Sequence, residues 1–314
     1  MNKQLLQYLP LFLLAVLLSA CEQEFIPELP DQPEELVVEG YIEAGELALP
    51  PYVILTRSLP FFTELPANEL SSLFIHDAEV IVTHNGRETL FEEICWSDFD
   101  EDEQEVLSRI LQTLGVFEEG VEFDFCVYVD PDFALTGTIG ERYDLTVTIG
   151  EEVLTSTTTI PPHVLLDSLF FIQPTGDVPD TLRELRGLVQ DPGDRADFYR
   201  YLVSNNGSLF ESGFTSVADD LFFNGQRFEF PIPNSEPRNE DPDPRTFGLY
   251  VVGDTTTIRW SNIDEPHFRF WSTLEFNNVN QGPFSSYTRV DGNIEGGLGI
   301  WGGYSLSYYS LIVE

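Results

Sequence analysis

Apolar and polar residues alternate through most of this chain, and the alternation predicts strands. The cleanest run is Glu141–Ile149, where Tyr143, Leu145, Val147 and Ile149 point one way. A period of two is what a pleated backbone imposes, because successive side chains leave opposite faces. Pro51–Leu59 reads the same way, with Val53, Leu55 and Arg57 on one face and Tyr52, Ile54 and Thr56 on the other. Leu36–Glu43, Ala78–His84, Arg87–Ile94 and Val153–Ile160 read alike. Asn85-Gly86 between two of these runs is a strong hairpin signal, since both residues tolerate the positive φ a tight turn needs. About seven short strands within 36–160 predict an immunoglobulin- or fibronectin-like sandwich.

One segment breaks the period. Between Asp100 and Leu114, Val106, Leu107, Ile110, Leu111 and Leu114 follow helical spacing, with acids clustered at the N-terminal end where the helix dipole favours them. It predicts a helical insertion over about 96–125. Pro161-Pro162 then marks a boundary. Strands resume at Ser168–Gln173, Leu182–Gln190, Asp197–Ser204, Gln226–Ile232, Thr246–Val252 and Thr256–Ser261, and a second Asn-Gly, Asn224-Gly225, joins two apolar runs. Asp264 is placed to cap a short helix from about Glu265 to Asn277, with Phe268, Trp271 and Leu274 on one side. A final strand is expected over Tyr304–Val313. The whole reads as mainly β, with a second antiparallel β-domain, sandwich or barrel-like and carrying one short helix, over 163–314. Aromatic residues within strands, such as Phe228 and Phe230 or Phe198, Tyr199 and Tyr201, are expected to fill cores.

The first 20 residues have a different pattern. One positive charge, Lys3, precedes an apolar run from Leu5 to Leu18 that is too short to be a stable membrane span. Leu18-Ser19-Ala20-Cys21 follows: small residues suit signal peptidase subsites, and the thiol can be lipidated. This resembles a bacterial lipobox, so 1–20 reads as a lipoprotein signal peptide and Cys21 as the acylated N-terminus. Several acyl chains, at roughly 0.8 kcal/mol per buried methylene, would hold the protein firmly to a membrane. Residues 21–35 are acidic and carry Pro27, Pro30 and Pro33, which excludes helix and central strand and predicts an extended tether. The acids after Cys21 resemble the surface-export signal of Bacteroidetes-type lipoproteins, so an outer-membrane, cell-surface location is expected.

Charge narrows the partners. The net charge of the 314-residue chain is −39, and Lys3 is its only lysine. Such a surface repels nucleic acid and anionic lipid head groups. Besides Cys21, only Cys95 and Cys126 are present. In an oxidising compartment an even pair predicts a disulfide. A two-cysteine metal site is the rival reading, and no histidine lies at ligand spacing from either cysteine to favour it.

Motifs for catalysis are missing. His76, His84, His163 and His267 fall in no paired ligand spacing, and there is neither a GxSxG elbow nor a Walker loop. The glycine-rich run Gly292–Gly303 does not match a dinucleotide fingerprint and is expected to be a bulge or a close approach to a neighbouring backbone. Asp98, Asp100 and Asp102 alternate like the start of a calcium loop, but Glu103 and Arg109 stand where such a loop has Gly and Glu. Asp191, Asp194 and Asp197, and separately Asp219 and Asp220, could gather around a hard cation. No organic cofactor is expected; calcium at Asp98, Asp100, Asp102, Asp191 or Asp194 is the one ligand the sequence offers.

Leu36-Val-Val-Glu-Gly-Tyr-Ile, Ile54-Leu-Thr-Arg-Ser, Gly140-Glu-Arg-Tyr-Asp-Leu, Gly282-Pro-Phe-Ser and Asn293-Ile-Glu-Gly-Gly-Leu-Gly-Ile-Trp-Gly-Gly-Tyr304, together with the lipobox and tether, resemble the Bacteroidetes lipoproteins classed as domain of unknown function 4249. That resemblance spans nearly the whole chain, and the closing glycine-rich motif is its most specific part. It implies a lipoprotein whose relatives tend to be encoded beside TonB-dependent transporters, and it transfers no catalytic residue. The expected function is therefore a non-enzymatic accessory of a transporter barrel in nutrient capture. The alternatives are a structural or adhesive surface protein and a hydrolase with an unrecognised site.

Overall fold

A computed structural model describes residues 34–59, 66–113, 124–213, 215–235, 243, 245–279 and 289–314. The signal peptide, Cys21 and most of the tether lie outside the described residues. The first strands are β1 (Leu36–Gly45), β2 (Tyr52–Arg57), β3 (Glu79–His84) and β4 (Arg87–Cys95); helix α1 (Glu101–Thr113) leads to β5 (Cys126–Val129), β6 (Arg142–Ile149) and β7 (Glu152–Thr159). The second half holds β8 (Leu166–Ile172), β9 (Leu182–Gln190), β10 (Phe198–Asn205), β11 (Val217–Asp219), β12 (Arg227–Pro231), β13 (Tyr250–Val251) and β14 (Thr255–Ile263), then α2 (Glu265–Val279) and β15 (Leu298–Ile312).

Two sheets organise these strands. An open eleven-stranded sheet runs β11-β10-β14-β15-β1-β2-β5-β4-β3-β6-β7, and a smaller one places β9 among β8, β12 and β13. Pairing is antiparallel except between β1 and β15, which run parallel. The fold is mainly β and is not a closed barrel.

Local signals behave as the sequence implies. Asn85 and Gly86 adopt φ of 50° and 75° and turn β3 into β4. Asp100 caps α1: the Glu103 amide donates to its Oδ1 at 2.9 Å, and the Asp100 amide donates back to Glu103 Oε2 at 3.0 Å, a reciprocal capping box. Asp264 caps α2 through the His267 amide at 3.0 Å. Cys95 and Cys126 face each other across β4 and β5 and form a disulfide, which closes off the segment carrying α1.

The glycine-rich run differs from expectation in its boundaries. Its second half is part of β15, so the strand begins at Leu298 rather than Tyr304. The reason is close approach to β1. Gly299 has φ of +109°, and a Cβ there would lie 1.9 Å from the Val38 carbonyl oxygen. A strand with side chains at every position could not come so near. Just upstream, the Asn293 side chain accepts from the Trp301 amide at 2.9 Å and donates to the Trp301 carbonyl at 2.8 Å. Glu295 bridges to Thr155, which covers part of β7 at the end of the large sheet.

The core has three parts. One cluster gathers β1 to β7, including Ile42, Leu55, Val80, Tyr143, Leu145 and Leu154, around Trp301. A second gathers β8, β9 and β13 against β10 and β14, including Leu185, Val189, Tyr199, Tyr250, Ile258 and Trp260. The third comprises Tyr41, Val217, Ile263, Ile300, Tyr304 and Leu306, with Phe268 and Trp271 of α2 packed on it. The halves expected at 36–160 and 163–314 thus each hold a cluster, and β15 joins them. Its odd positions give Trp301 to the first core and Tyr309 to the second, while Ile300, Tyr304 and Leu306 turn to α2. Both buried tryptophans satisfy their indole N–H, Trp301 to the Tyr143 carbonyl at 3.1 Å and Trp260 to the Val164 carbonyl at 2.9 Å. Phe228 departs from the expected core role; it is exposed and stacks on Phe223 at 4.6 Å.

Candidate functional site

Of the five acids singled out as calcium ligands, the structure does not gather the first three. Asp98 Oδ2 accepts the Cys95 amide at 2.7 Å, Asp100 caps α1, and Asp102 is exposed on the first turn of that helix. Each satisfies backbone or faces water. Asp194 is likewise exposed in the β9–β10 connection.

Asp191 has different company. It follows β9, Asp197 precedes β10, and Asp220 follows β11, and one carboxylate oxygen of each lies within 4.8 Å of the others. All three residues are buried, at 2, 3 and 3 % exposure. The sequence pointed to the 191–197 and 219–220 acids as separate groups; the fold merges them. The device that does so is the second Asn-Gly. It does not join two strands of one sheet but carries the chain from β11 in the large sheet to β12 in the small one. Gly225, at φ of +73°, comes against Gly193, where a Cβ would lie 3.0 Å from the Gly225 Cα. Asn224 Nδ2 donates to the Arg195 carbonyl at 3.0 Å, and the Gly225 amide donates to Asp191 Oδ2 at 2.9 Å.

The remaining oxygens are only partly engaged. The Tyr199 hydroxyl donates to Asp191 Oδ1. The Asp197 amide donates to Asp220 Oδ2 at 2.9 Å, and Arg195 Nε donates to Asp197 Oδ1 at 2.9 Å. Asp197 Oδ2 is buried with no partner. Burial raises the Asp197 pKa, and the neighbouring Asp191 and Asp220 charges add to the rise against the opposing pull of Arg195. Burial and the hydrogen bond to Asp191 also push the Tyr199 phenol far up, so it stays a donor. The donor set is all oxygen, the kind that suits a hard cation. Directly after Asp220 the chain turns outward and exposes Leu221 at 73 % and Phe222 at 87 %.

A second group forms where the sequence saw no histidine near the cysteines. His76 Nδ1 lies 2.6 Å from Glu93 Oε1, and both residues sit beside Cys95 and Cys126. The disulfide withdraws both sulfurs, because a metal is bound by thiolate.

The other histidines have local duties. His84 lines an open cleft of about 410 Å³ with Arg87, Glu88, Asp130 and Asp132. Its Nδ1 lies 3.3 Å from the Arg142 carbonyl and its Nε2 3.1 Å from the Asn85 amide nitrogen. Asp130 in the same cleft accepts the amides of Asp132, Ala134 and Leu135 at 3.1, 2.8 and 2.7 Å, which fixes the loop. His163 meets the Ser307 hydroxyl at 2.9 Å. His267 is buried against Tyr41 and Tyr304 near a buried Arg259–Glu43 ion pair of 2.7 Å.

The model of the family described as Domain of unknown function (DUF4249) matches residues 22–309. No curated protein matches the chain.

Proposed function

We propose, from the premise that the chain belongs to the DUF4249 family, that it is a non-enzymatic lipoprotein of the outer membrane. In this reading it is anchored through Cys21, displayed at the cell surface, and partnered with a TonB-dependent transporter barrel in nutrient capture. The lipobox and the acidic, proline-containing tether supply the anchor and reach. The finer architecture belongs to the same reading: an immunoglobulin- or fibronectin-like sandwich over 36–160, supported by the core cluster that gathers β1 to β7 around Trp301 and by the bridge from β7 to the segment before β15, then a sandwich-like second domain over 163–314, supported by a core drawn from both sheets.

The observation that carries the binding role is the adjacent pair Leu221 and Phe222, projected at 73 % and 87 % exposure from a well-packed β framework. Two neighbouring large apolar side chains at one tip favour a protein contact, since buried aromatic anchors dominate interface energetics. A high negative charge disfavours nucleic acid as the partner. The His84 cleft supports a hydrolase less well. Both ring nitrogens already face other groups, and Asp130 is occupied by loop amides, so no histidine–carboxylate pair is formed there.

The test is extraction of the tagged lipoprotein from its own outer membrane in mild detergent, with identification of what accompanies it. A stoichiometric TonB-dependent barrel is expected, and the Leu221→Ser/Phe222→Ser double variant is expected to lose most of it while still folding. A solitary monomer would instead favour the adhesive reading and direct attention to glycan and matrix binding.

A further inference from the structure

We infer that Asp191, Asp197 and Asp220 form a binding site for one calcium ion that ties the small sheet to the large one at the β9–β10 end. The inference is independent of any transporter partnership.

Geometry comes first. Oxygens ligating one calcium ion at about 2.4 Å lie at most about 4.8 Å apart. One oxygen from each of the three aspartates meets that limit. The residues arrive from three separate strand ends, so their convergence is not a by-product of one acidic stretch of sequence.

Charge comes second. The three carboxylates are buried, and the one ion pair made to them among the described residues is Arg195 Nε to Asp197 Oδ1 at 2.9 Å. Counted as ionised, the group carries two uncompensated negative charges, the complement of a divalent ion. Buried charges persist when they are paired or coordinate a metal. Asp197 Oδ2 sharpens the point: it is buried and accepts no hydrogen bond, although a carboxylate oxygen offers two lone pairs. In this chain the other acids considered as ligands are spent on capping backbone or are exposed to water. Solvated acid therefore explains them and leaves this cluster unexplained.

Donor chemistry comes third. Neither histidine nor cysteine belongs to this group, so the site lacks the nitrogen and sulfur donors that favour zinc or copper. Calcium tolerates irregular all-oxygen shells completed by water, whereas magnesium demands near-octahedral geometry and keeps most of its own waters. The contacts already present act as an outer support. Tyr199 and the Gly225 amide orient Asp191, the Asp197 amide orients Asp220, and Arg195 orients Asp197. A bound ion would link the end of β9, in the small sheet, to the start of β10 and the end of β11, in the large one.

The experiment uses the full lipoprotein in mild detergent, stripped with EDTA and titrated calorimetrically with CaCl2 at neutral pH and physiological salt. Thermal unfolding is followed in parallel. One saturable site per chain is expected above the weak background of surface acid, with a rise in Tm on calcium addition and a weaker response to MgCl2. Asp197→Asn and Asp220→Asn are each expected to weaken that site by about a hundredfold or to abolish it, because affinity follows the number of charged ligands. Asp98→Asn, outside the cluster, is expected to bind as the wild type does. In EDTA, Asp197→Asn is expected to unfold at or above the wild-type temperature, since it relieves repulsion among the carboxylates. That rise separates loss of a ligand from loss of the fold. The inference is overturned if the wild type shows only non-saturating heat and no Tm shift up to about 10 mM calcium, above the range of weak extracellular sites. It is equally overturned if the Asp197 and Asp220 variants keep the full calcium response.

Discussion

His267 shows how one side chain can set the pH response of the fold. Its ring lies against Gly302, where a Cβ would sit 2.7 Å from its Nδ1. Burial holds its pKa well below the usual histidine value, and the Arg200 and Arg259 charges add to the effect. The folded state therefore keeps the ring neutral, while the unfolded chain takes up a proton near about pH 6.5. Protons then favour the unfolded state, so this contribution to stability is present above that pH and is lost as pH falls below it. The slope should approach about 1.4 kcal/mol per pH unit. Urea midpoints at neutral and mildly acidic pH measure it, and His267→Gln is expected to flatten the dependence between them, whatever it does to absolute stability. The sequence named this histidine but could not show its burial, because a glycine on a different element, Gly302 of β15, supplies the space for its ring. Asp191 is the reverse case: the sequence grouped it with Asp194 and Asp197 and set Asp219 and Asp220 apart, whereas the fold brings Asp191, Asp197 and Asp220 together.

At the level of single elements, local chemistry was easier to read. Helix α1 starts where acids and a capping box place it, and Asp264 starts α2. The cysteine pair was legible as well, because Cys95 and Cys126 are the two cysteines left beside Cys21 and allow one pairing. Their disulfide spans 31 residues and joins directly opposed positions of β4 and β5. Removing it with Cys95→Ser/Cys126→Ser should cost about 3–4 kcal/mol through the added freedom of the unfolded chain. Urea unfolding of the oxidised wild type against the double variant measures the loss, and the chain is expected to remain folded because the cluster around Trp301 needs neither sulfur. The two Asn-Gly turns mark the limit of local reading. Both place glycine at positive φ, yet one closes a hairpin and the other crosses between sheets. A dipeptide fixes the turn, whereas the destination of the next strand depends on distant pairing.

For the molecule as a whole, β15 decides how the halves relate. It pairs with β1 on one side and β14 on the other, and its two ends enter different cores. Pro161-Pro162 ends one run of strands without ending the sheet. We expect urea unfolding followed by circular dichroism and by fluorescence to give coincident, single transitions. Trp301→Ala should lower stability by about 3–5 kcal/mol, the range for emptying a buried tryptophan site, and should shift that one transition rather than split it. Two separated transitions would show that the halves unfold independently despite the shared strand.

The sequence by itself determined the β class, the hairpin at Asn85-Gly86, both helices, the disulfide pair and family membership. The structural features rest on period, turn chemistry, capping or elimination, which act over a few residues or on composition, whereas family membership rests on motifs spread over nearly the whole chain. Only the tertiary structure decided that the glycine run lies in a strand against β1, that His76 stands beside the disulfide, and that Asp191, Asp197 and Asp220 share one buried place. Those facts depend on which strand ends meet. That is set by sheet order and core packing, which no short window of the chain contains.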